Sequence, residues 1–548
     1  MMSLVGLISL LSLVSAQTWC NKNYMSTEPI VPPVPERFST PLFALRCGPA
    51  LRPYLPEDQD GIVDDPTAVS ILVDTPITYS LIVGASPITS TLGATLKVTV
   101  SAEGKTLASG RVPFNAAKHA LPLSLSALTP RTEVYNISCT AETEVGEQFA
   151  TTALLSYLPA PPDDIGSVTK MDTRTGGLLA RPAHQDGAYE RVFPIGFYTQ
   201  FDSFLAVNLS AIGTLKEQGF NIIHPVPTFS NLTALDEVLD EMERVGIYLM
   251  YDMRAASVTE QINRIKSRSN LLLWYTADEP DGTSDPLNAT LLASNLITSL
   301  DGGDGQGGSG YHPVSLVLNC ENYEFTAYAS GADIVMQDTY MIGNNVTFSS
   351  EWGTVCTRDY GDCGCDNCKG SFKDISTRED EFRERIFVNG WELNKVVWAV
   401  PQAFGNESYW KRFPTGKEFI VQSIVGINHG ALGVVSWDDP TSADIKASAS
   451  ALALSIPTIT SFILDPNVNF QQVTTSDSID VGLWTVGNKT LVLATNLDYE
   501  EKVLFLAQVG IAEEVAEKVF DSGAQVYIGG FSVILESVGS AGFIVPSK

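Results

Sequence analysis

The stretch Leu271-Leu-Leu-Trp-Tyr-Thr-Ala-Asp-Glu-Pro-Asp-Gly282 constrains the fold more than any other. Its first half is continuously apolar and aromatic, as in a strand buried on both faces. It then breaks into two adjacent carboxylates, a proline and an Asp-Gly turn. Strands covered on both faces belong to parallel sheets. One that delivers acids at its C-terminal end has the form used by α/β barrels to build active sites. A plainer alternative has Asp278 capping the next helix and Glu279 solvated. Asp285 and Pro286 make a better helix start, so Glu279 reads as a site acid.

The flanking sequence repeats the pattern. Strands are expected at 192–199, 220–226, 247–252, 271–277, 314–319, 333–337, 396–401 and 432–437, with amphipathic helices between them. The helix from Asn231 to Val245 carries Leu232, Leu235, Val238, Leu239, Met242 and Val245 on one stripe. Thr415-Gly-Lys-Glu418 has the form of a capping box. Alternation of this kind over residues 165–464 predicts an α/β fold, a (β/α)8 TIM barrel. Before it, residues 61–158 alternate as short strands and turns, the texture of a β-sandwich, read as a spacer or stabilising module rather than a sugar-binding one. Residues 17 to about 50 are Pro-rich and suggest a strap pinned to that sandwich, and Leu158-Pro-Ala-Pro-Pro-Asp-Asp164 is a linker. Strand texture returns over 465–548 as a small C-terminal β-domain. Within the barrel, Gly302–Gly310 reads as a flexible connector at the stability end. The long segment from 341 to 380 follows the sixth strand at the active end, where loops shape substrate clefts.

Charge and cysteines narrow the setting. A formal net charge of -29 disfavours nucleic acid and anionic membranes as partners, and suits a neutral one such as a polysaccharide. Residues 1–16 form a short apolar run ending in Val14-Ser15-Ala16, a signal-peptide pattern too short to span a membrane, and no anchor signal ends the chain. Seven Asn-X-Ser/Thr triplets, at Asn136, Asn208, Asn231, Asn288, Asn345, Asn406 and Asn488, fit a secreted glycoprotein. The eight cysteines are then expected in disulfides, with at least two bridges involving the Cys356, Cys363, Cys365 and Cys368 cluster and one of them open to Cys320. Zinc is the lesser alternative for that cluster. With five histidines dispersed along the chain, no metal site and no cofactor is implied. Oligomeric state is not legible.

The C-terminal ends of the eight expected strands supply Tyr198 and Gln200; His224; Asp252 and Arg254; Asp278 and Glu279; Glu321; Asp338 and Tyr340; Gln402; and Trp437, Asp438 and Asp439. Carboxylates interleaved with aromatics and amides are what a sugar site needs. Acids move protons, rings stack on pyranose faces and amides read hydroxyls. Beside its place in a substrate site, each of several has a plainer alternative: Arg254 as a structural partner of Asp252, His224 as a hydrogen-bonded wall, Asp439 as a cap, and Glu321, with Glu351 of the long loop, as solvated acids held in reserve. Trp437 reads as a sugar platform.

Phe193-Pro-Ile-Gly-Phe-Tyr198, Trp274-Tyr-Thr-Ala-Asp-Glu-Pro280, Gln337-Asp-Thr-Tyr340, Pro401-Gln-Ala-Phe-Gly405 and Gly430-Ala-Leu-Gly-Val-Val-Ser-Trp437 resemble secreted barrel glycoside hydrolases. The resemblance is to the broad superfamily of β-galactosidases and β-glucuronidases, and it covers roughly residues 165–548. It implies hydrolysis of O-glycosidic bonds in a poly- or oligosaccharide, with Glu279 as acid/base at the end of the fourth strand. Asp278 stands where that superfamily has asparagine. The seventh strand, which should end in a nucleophilic glutamate, offers Gln402. The second carboxyl is read as Asp338, which ends the sixth strand beside Tyr340 and the cysteine-bearing loop and has holding a sugar hydroxyl as its alternative role, with Asp438 and Asp439 next in order. The alternative function is a non-catalytic cell-wall or carbohydrate-binding protein on a degenerate glycosidase barrel.

Overall fold

The computed structural model describes residues 19–22, 38–60, 69–88, 95–182, 187–254 and 257–547. The expected signal peptide and residues 17–18 and 23–37 of the expected strap lie outside the described residues.

Eight parallel strands close into a barrel in sequence order: β1 (Ile195–Gln200), β2 (Ile222–Val226), β3 (Tyr248–Asp252), β4 (Leu271–Asp278), β5 (Val314–Leu318), β6 (Ile334–Gln337), β7 (Val396–Ala399) and β8 (Val434–Asp439). A helix follows each strand: α1 (Ser210–Glu217), α2 (Leu232–Val245), α3 (Val258–Ile265), α4 (Ala289–Leu300), α5 (Phe325–Ala329), α6 (Lys373–Val388), α7 (Gly416–Asn428) and α8 (Ala443–Ile463). This is the TIM-barrel architecture expected from the alternating pattern.

Period-2 geometry splits each strand between two cores. Phe197, Ile223, Leu249 and Trp274 point outward into the helix layer with Ile212, Leu239, Ile262 and Ile424. Tyr198, Ile222, Met250, Leu273, Tyr275, Met336, Trp398 and Val435 fill the interior. Within α2, Leu235, Val238, Leu239 and Met242 are fully buried, each worth ~1.5–3 kcal/mol of transfer free energy. Leu232, expected on that stripe, is 53% exposed because it opens the first turn, beyond the reach of the barrel wall. The capping box forms as expected: Thr415 Oγ1 accepts from Glu418 N, and Glu418 Oε2 from Thr415 N.

The N-terminal end of the barrel is plugged. Leu51–Arg52, Thr169–Asp172, Gly177–Ala180 and Glu190–Val192 make an antiparallel sheet, and Met171, Leu178, Ala180 and Val192 join the interior core. Above it sits a β-sandwich. One sheet orders Gln148–Leu155, Tyr135–Glu142, Thr95–Ala102 and Lys105–Pro113, and the facing sheet Arg46–Pro49, Ser70–Asp74 and His119–Pro122. The described end of the expected strap, from 42 on, packs on the sandwich but as strands (Leu42–Ala44 and Arg46–Pro49) rather than as irregular chain, because alternate apolar side chains such as Phe43 and Leu45 complete the sandwich core. The glycine-rich 302–310 connector is likewise docked rather than free. Asp304 Oδ2 accepts from Val134 N at 2.9 Å, and Ser309 N donates to Ser156 Oγ at 2.8 Å.

All eight cysteines are paired: Cys20–Cys320, Cys47–Cys139, Cys356–Cys363 and Cys365–Cys368. The cluster holds two bridges, as expected, but both are internal. Cys320 is taken by Cys20, because Trp19–Lys22 lies across the loop that follows β5.

The C-terminal strands Asn469–Thr474, Ile479–Val486, Lys489–Asn496, Lys502–Phe505, Glu517–Val526 and Ser532–Pro546 form one antiparallel sheet against α7 and α8. Trp484, Leu491, Phe520 and Ile544 extend the outer core into it. One histidine pins this contact. Just past α7, His429 bonds Asp380 through Nδ1 and Asp480 of the sheet through Nε2, each at 2.9 Å. Burial works against its charge, yet the two carboxylates outweigh burial and raise its pKa to about 9. A folded pKa above the free value of ~6.5 means that this stabilisation is complete below pH ~6.5 and lost as pH rises through about 9. Thermal unfolding of wild type and His429→Gln across pH 5.5–9.5 should therefore show the largest deficit of the variant at the acid end and a shrinking one above pH 8. A pH-independent deficit would remove charge from the account.

Candidate active site

The residues at the strand ends meet at one mouth, and they sort into a working pair and its scaffold. Glu279 is one residue past β4 and sits in the left-handed region, φ 49°. Such backbone costs a non-glycine residue ~1–3 kcal/mol and persists only where the surroundings hold it. Here β4 bulges between Tyr275 and Asp278, Glu279 N donates to Val317 O at 3.2 Å, and the Pro280-Asp281-Gly282 turn follows. Asp338 is one residue past β6 and buried.

The carboxyls of Glu279 and Asp338 are hydrogen-bonded to each other. Asn319, one residue past β5, donates from Nδ2 to both, at 3.2 Å to Glu279 Oε1 and 3.3 Å to Asp338 Oδ1. Burial pushes both carboxyls up, Glu279 to about 7 and Asp338 well above the usual aspartate range, with the charge of Glu279 adding to the rise at Asp338. Two like charges this close oppose each other, so Glu279 ionises first, near 7, and Asp338 keeps its proton to higher pH.

A third acid, Asp281, is buried beneath. Its oxygens accept the backbone N–H of Gly282, Asn319 and Cys320 at 2.9, 3.2 and 2.8 Å, tying the β4 loop to the β5 loop. Burial nonetheless raises it to about 6. Arg378 of α6 braces the same point by donating to Asn319 O and Asp366 O.

The remaining expected site residues divide. Asp252 is fully buried. Burial works to raise its pKa, but hydrogen bonds from His224 and Arg254 hold it at about 2. His224 is fully buried and kept neutral by burial; it contacts Asp252 through Nε2 at 3.0 Å and lies under the Tyr198 ring at 4.2 Å between centroids. Arg254 forks between Asp252 and Asp278, and Asp278 also accepts from Tyr275 Oη at 2.5 Å. Tyr198, His224 and Asp252 are thus floor and support rather than direct substrate contacts. Gln402 is also overturned as a sugar-reading amide. It is fully buried, its Oε1 accepts from Ile342 N, and its Nε2 donates to Ile342 O and Phe404 O. Asp439 accepts from Thr441 N and pairs with Lys446, closing the turn into α8.

Partly open at the mouth are Gln200 and Asp438, joined at 2.5 Å, and Trp437, edge-on to Tyr198. Tyr340 is buried beside Asp338, packed edge-on against Phe404 and Trp410. Trp274 points into the helix layer, not the site. The 341–380 loop forms one wall. Between it, α6 and Trp19 lies a cleft of about 720 Å³ lined by Glu321, Arg358, Asp362 and Asn367. Neither carboxyl of the pair lines that cleft. The Cys20, Cys320 and Asp366 group cannot ligate a metal, since the sulfurs are bonded to each other and Asp366 pairs with Lys22 at 2.7 Å.

Sequence reasoning missed Asn319, Asp281 and Trp19. Asn319 stands at the end of a strand and could have been read from that position; Trp19 could not, since its contact is 300 residues away.

No protein-family model matches the chain, and no curated protein is similar to it in sequence. Among solved structures, an Anoxybacillus α-amylase aligns at 10% identity and TM-score 0.40, over 63% of this chain and 90% of that one. An α-amylase from Geobacillus thermoleovorans complexed with acarbose aligns at 10% and 0.41, over 66% and 100%. A maltogenic α-amylase from Thermotoga neapolitana aligns at 10% and 0.40, over 65% and 99%. Scores this low carry no argument about chemistry. The resemblance to β-galactosidases and β-glucuronidases rests on the sequence motifs alone.

The proton kept by Asp338 has a measurable consequence. A carboxyl with a raised folded pKa contributes stability that is complete below its unfolded value, ~4, and is lost as pH climbs toward the folded one. Asp338→Asn removes that loss while keeping the shape. Its Tm should match wild type near pH 4 and exceed it increasingly toward pH 8, by calorimetry. A variant less stable than wild type at pH 8 would contradict the raised Asp338 carboxyl.

Proposed function

We propose that the protein is a secreted glycoside hydrolase acting on the O-glycosidic bonds of a poly- or oligosaccharide, with Glu279 and Asp338 as its two carboxyls. One observation carries the reading: a buried acid pair at the barrel mouth, with one amide nitrogen, Asn319 Nδ2, donating to both carboxyls. Glycoside cleavage needs one carboxyl protonated to donate to the leaving oxygen and one ionised to meet the developing positive charge at the anomeric carbon. Glu279, the more accessible of the two, takes the donor role and Asp338 the anionic one; because Asp338 is the acid that holds its proton to higher pH in the free pair, this assignment requires that proton to lie on Glu279 once a sugar is bound. The Asn319 nitrogen shared by both carboxyls keeps them closer than most of the ~6.5–9.5 Å range that accommodates an attacking water, which makes the retaining spacing of ~5–5.5 Å the nearer of the two. Trp437, Gln200 and Asp438 are the open residues that would meet a sugar.

Secretion is supported by the four disulfides and by the exposure of all seven sequon asparagines. Among the described residues no helix is long and apolar enough to cross a membrane. The non-catalytic alternative draws on Gln402, whose amide is committed to backbone where the resembling superfamily has a nucleophile. An activity screen over plant, fungal and bacterial polysaccharides separates the two. Glu279→Gln and Asp338→Asn, both folded, should each lower turnover of an accepted substrate by ~10²-fold or more. Binding without turnover on every substrate would select the non-catalytic reading.

A further inference from the structure

The described N-terminal stretch, Trp19–Lys22, belongs to neither the sandwich nor the barrel, yet it is fixed at the mouth. Trp19 Nε1–H donates to Asn319 Oδ1 at 2.8 Å. Cys20 N donates to Gly282 O at 3.2 Å, and Cys20 is bonded to Cys320, the residue next to Asn319. Lys22 Nζ donates to Thr357 O and Arg358 O at 3.1 and 3.0 Å and to Asn367 Oδ1 at 2.7 Å. The Trp19 ring lies flush on Gly282, where a Cβ would come within 2.4 Å of it. Gly282 is therefore glycine because the indole occupies that space.

From these contacts we infer that Trp19 is a positioning residue for the Glu279–Asp338 pair, acting through the Asn319 amide and held in place by the Cys20–Cys320 bond. An asparagine side chain has a donor end and an acceptor end, and a turn of 180° exchanges them. Only the orientation with Nδ2 toward the carboxyls lets Asn319 stabilise their negative charge. The opposite orientation would set a carbonyl oxygen against two acids. The indole N–H, which can only donate, fixes the choice by demanding the oxygen. The backbone of Asn319 is held separately, by Asp281 and Arg378, so Trp19 governs the side chain's facing rather than the loop's place.

This rests on the pair being the working pair proposed above, and the test keeps the two questions apart. Trp19→Phe preserves a ring over Gly282 and removes the N–H. On an accepted substrate it should lower kcat about tenfold, the value of one hydrogen bond at the reacting groups, with KM within about twofold. Weaker donation to the carboxylates also raises their pKa, so the pH profile of kcat should move to higher pH. The ionisable groups facing the pair are Asp278 and Asp281 beside it, Asp362 from the cysteine-bearing loop, and Tyr198 and Tyr340, and the substitution alters the charge of none of them.

A second readout needs no substrate. The pH midpoint of the Tm difference between each background and its Asp338→Asn partner should be higher in Trp19→Phe than in wild type. Cys20→Ser combined with Cys320→Ser, which keeps Trp19, should shift both readouts in the same direction by less. Wild-type kcat and wild-type midpoint in folded Trp19→Phe would overturn the inference, as would a change in KM alone, which marks a sugar contact. Should wild type cleave nothing, the proposed hydrolase fails while the midpoint still decides the role of Trp19.

Discussion

Two carboxyl groups in contact inside a protein oppose each other's charge, and much of this molecule is arranged to make them stay in contact regardless. The cost of that proximity is met by the closed barrel. Every strand is hydrogen-bonded on both edges, so the ends of β4, β5 and β6 cannot separate to relieve the repulsion. The interior core under them is packed with Tyr198, Tyr275, Met336 and Trp398 and plugged at its far end by the 169–180 hairpin. Dry, rigid surroundings raise the acids' pKa values and prevent the collapse that would otherwise follow.

Around the pair, polar groups divide the labour. On one side Asp252, neutral His224, Arg254 and Asp278 form a linked chain in which one guanidinium serves two carboxylates, so its excess negative charge helps to raise the pKa of Glu279. On the other, Asp281 spends its oxygens on three backbone N–H groups and sets the geometry of both neighbouring loops. Acids adjacent in sequence thus have unlike roles: Asp278 is ion-paired scaffold, Glu279 is aimed at the mouth by its left-handed backbone, and Asp281 is a buried clasp.

The barrel was legible because doubly buried strands leave continuous apolar runs, and helices between them leave a 3.6-residue stripe. Glu279 and Asp338 were legible for the same reason: each breaks such a run at its C-terminal end. Legibility failed where the deciding contact is distant in sequence. Gln402 looks like a site amide until the chain brings Ile342 to it. The glycine-rich connector looks free until the sandwich is laid against it, and Cys320 looks like a partner for the nearby cluster until Cys20 arrives from the other end. Composition records which groups a segment can offer, and not which remote backbone will claim them.

The Cys20–Cys320 bond joins residues 300 apart, so the whole sandwich and the first five barrel strands lie within one covalent ring. A protease that cuts an exposed loop of the sandwich, or a turn between the early strands, opens the ring without releasing a fragment. Each half stays tied to the other beside Asn319, and the cut ends can rejoin their native pairings as parts of one molecule rather than as two that must meet again. A single cut between Cys20 and Cys320 is therefore a local event.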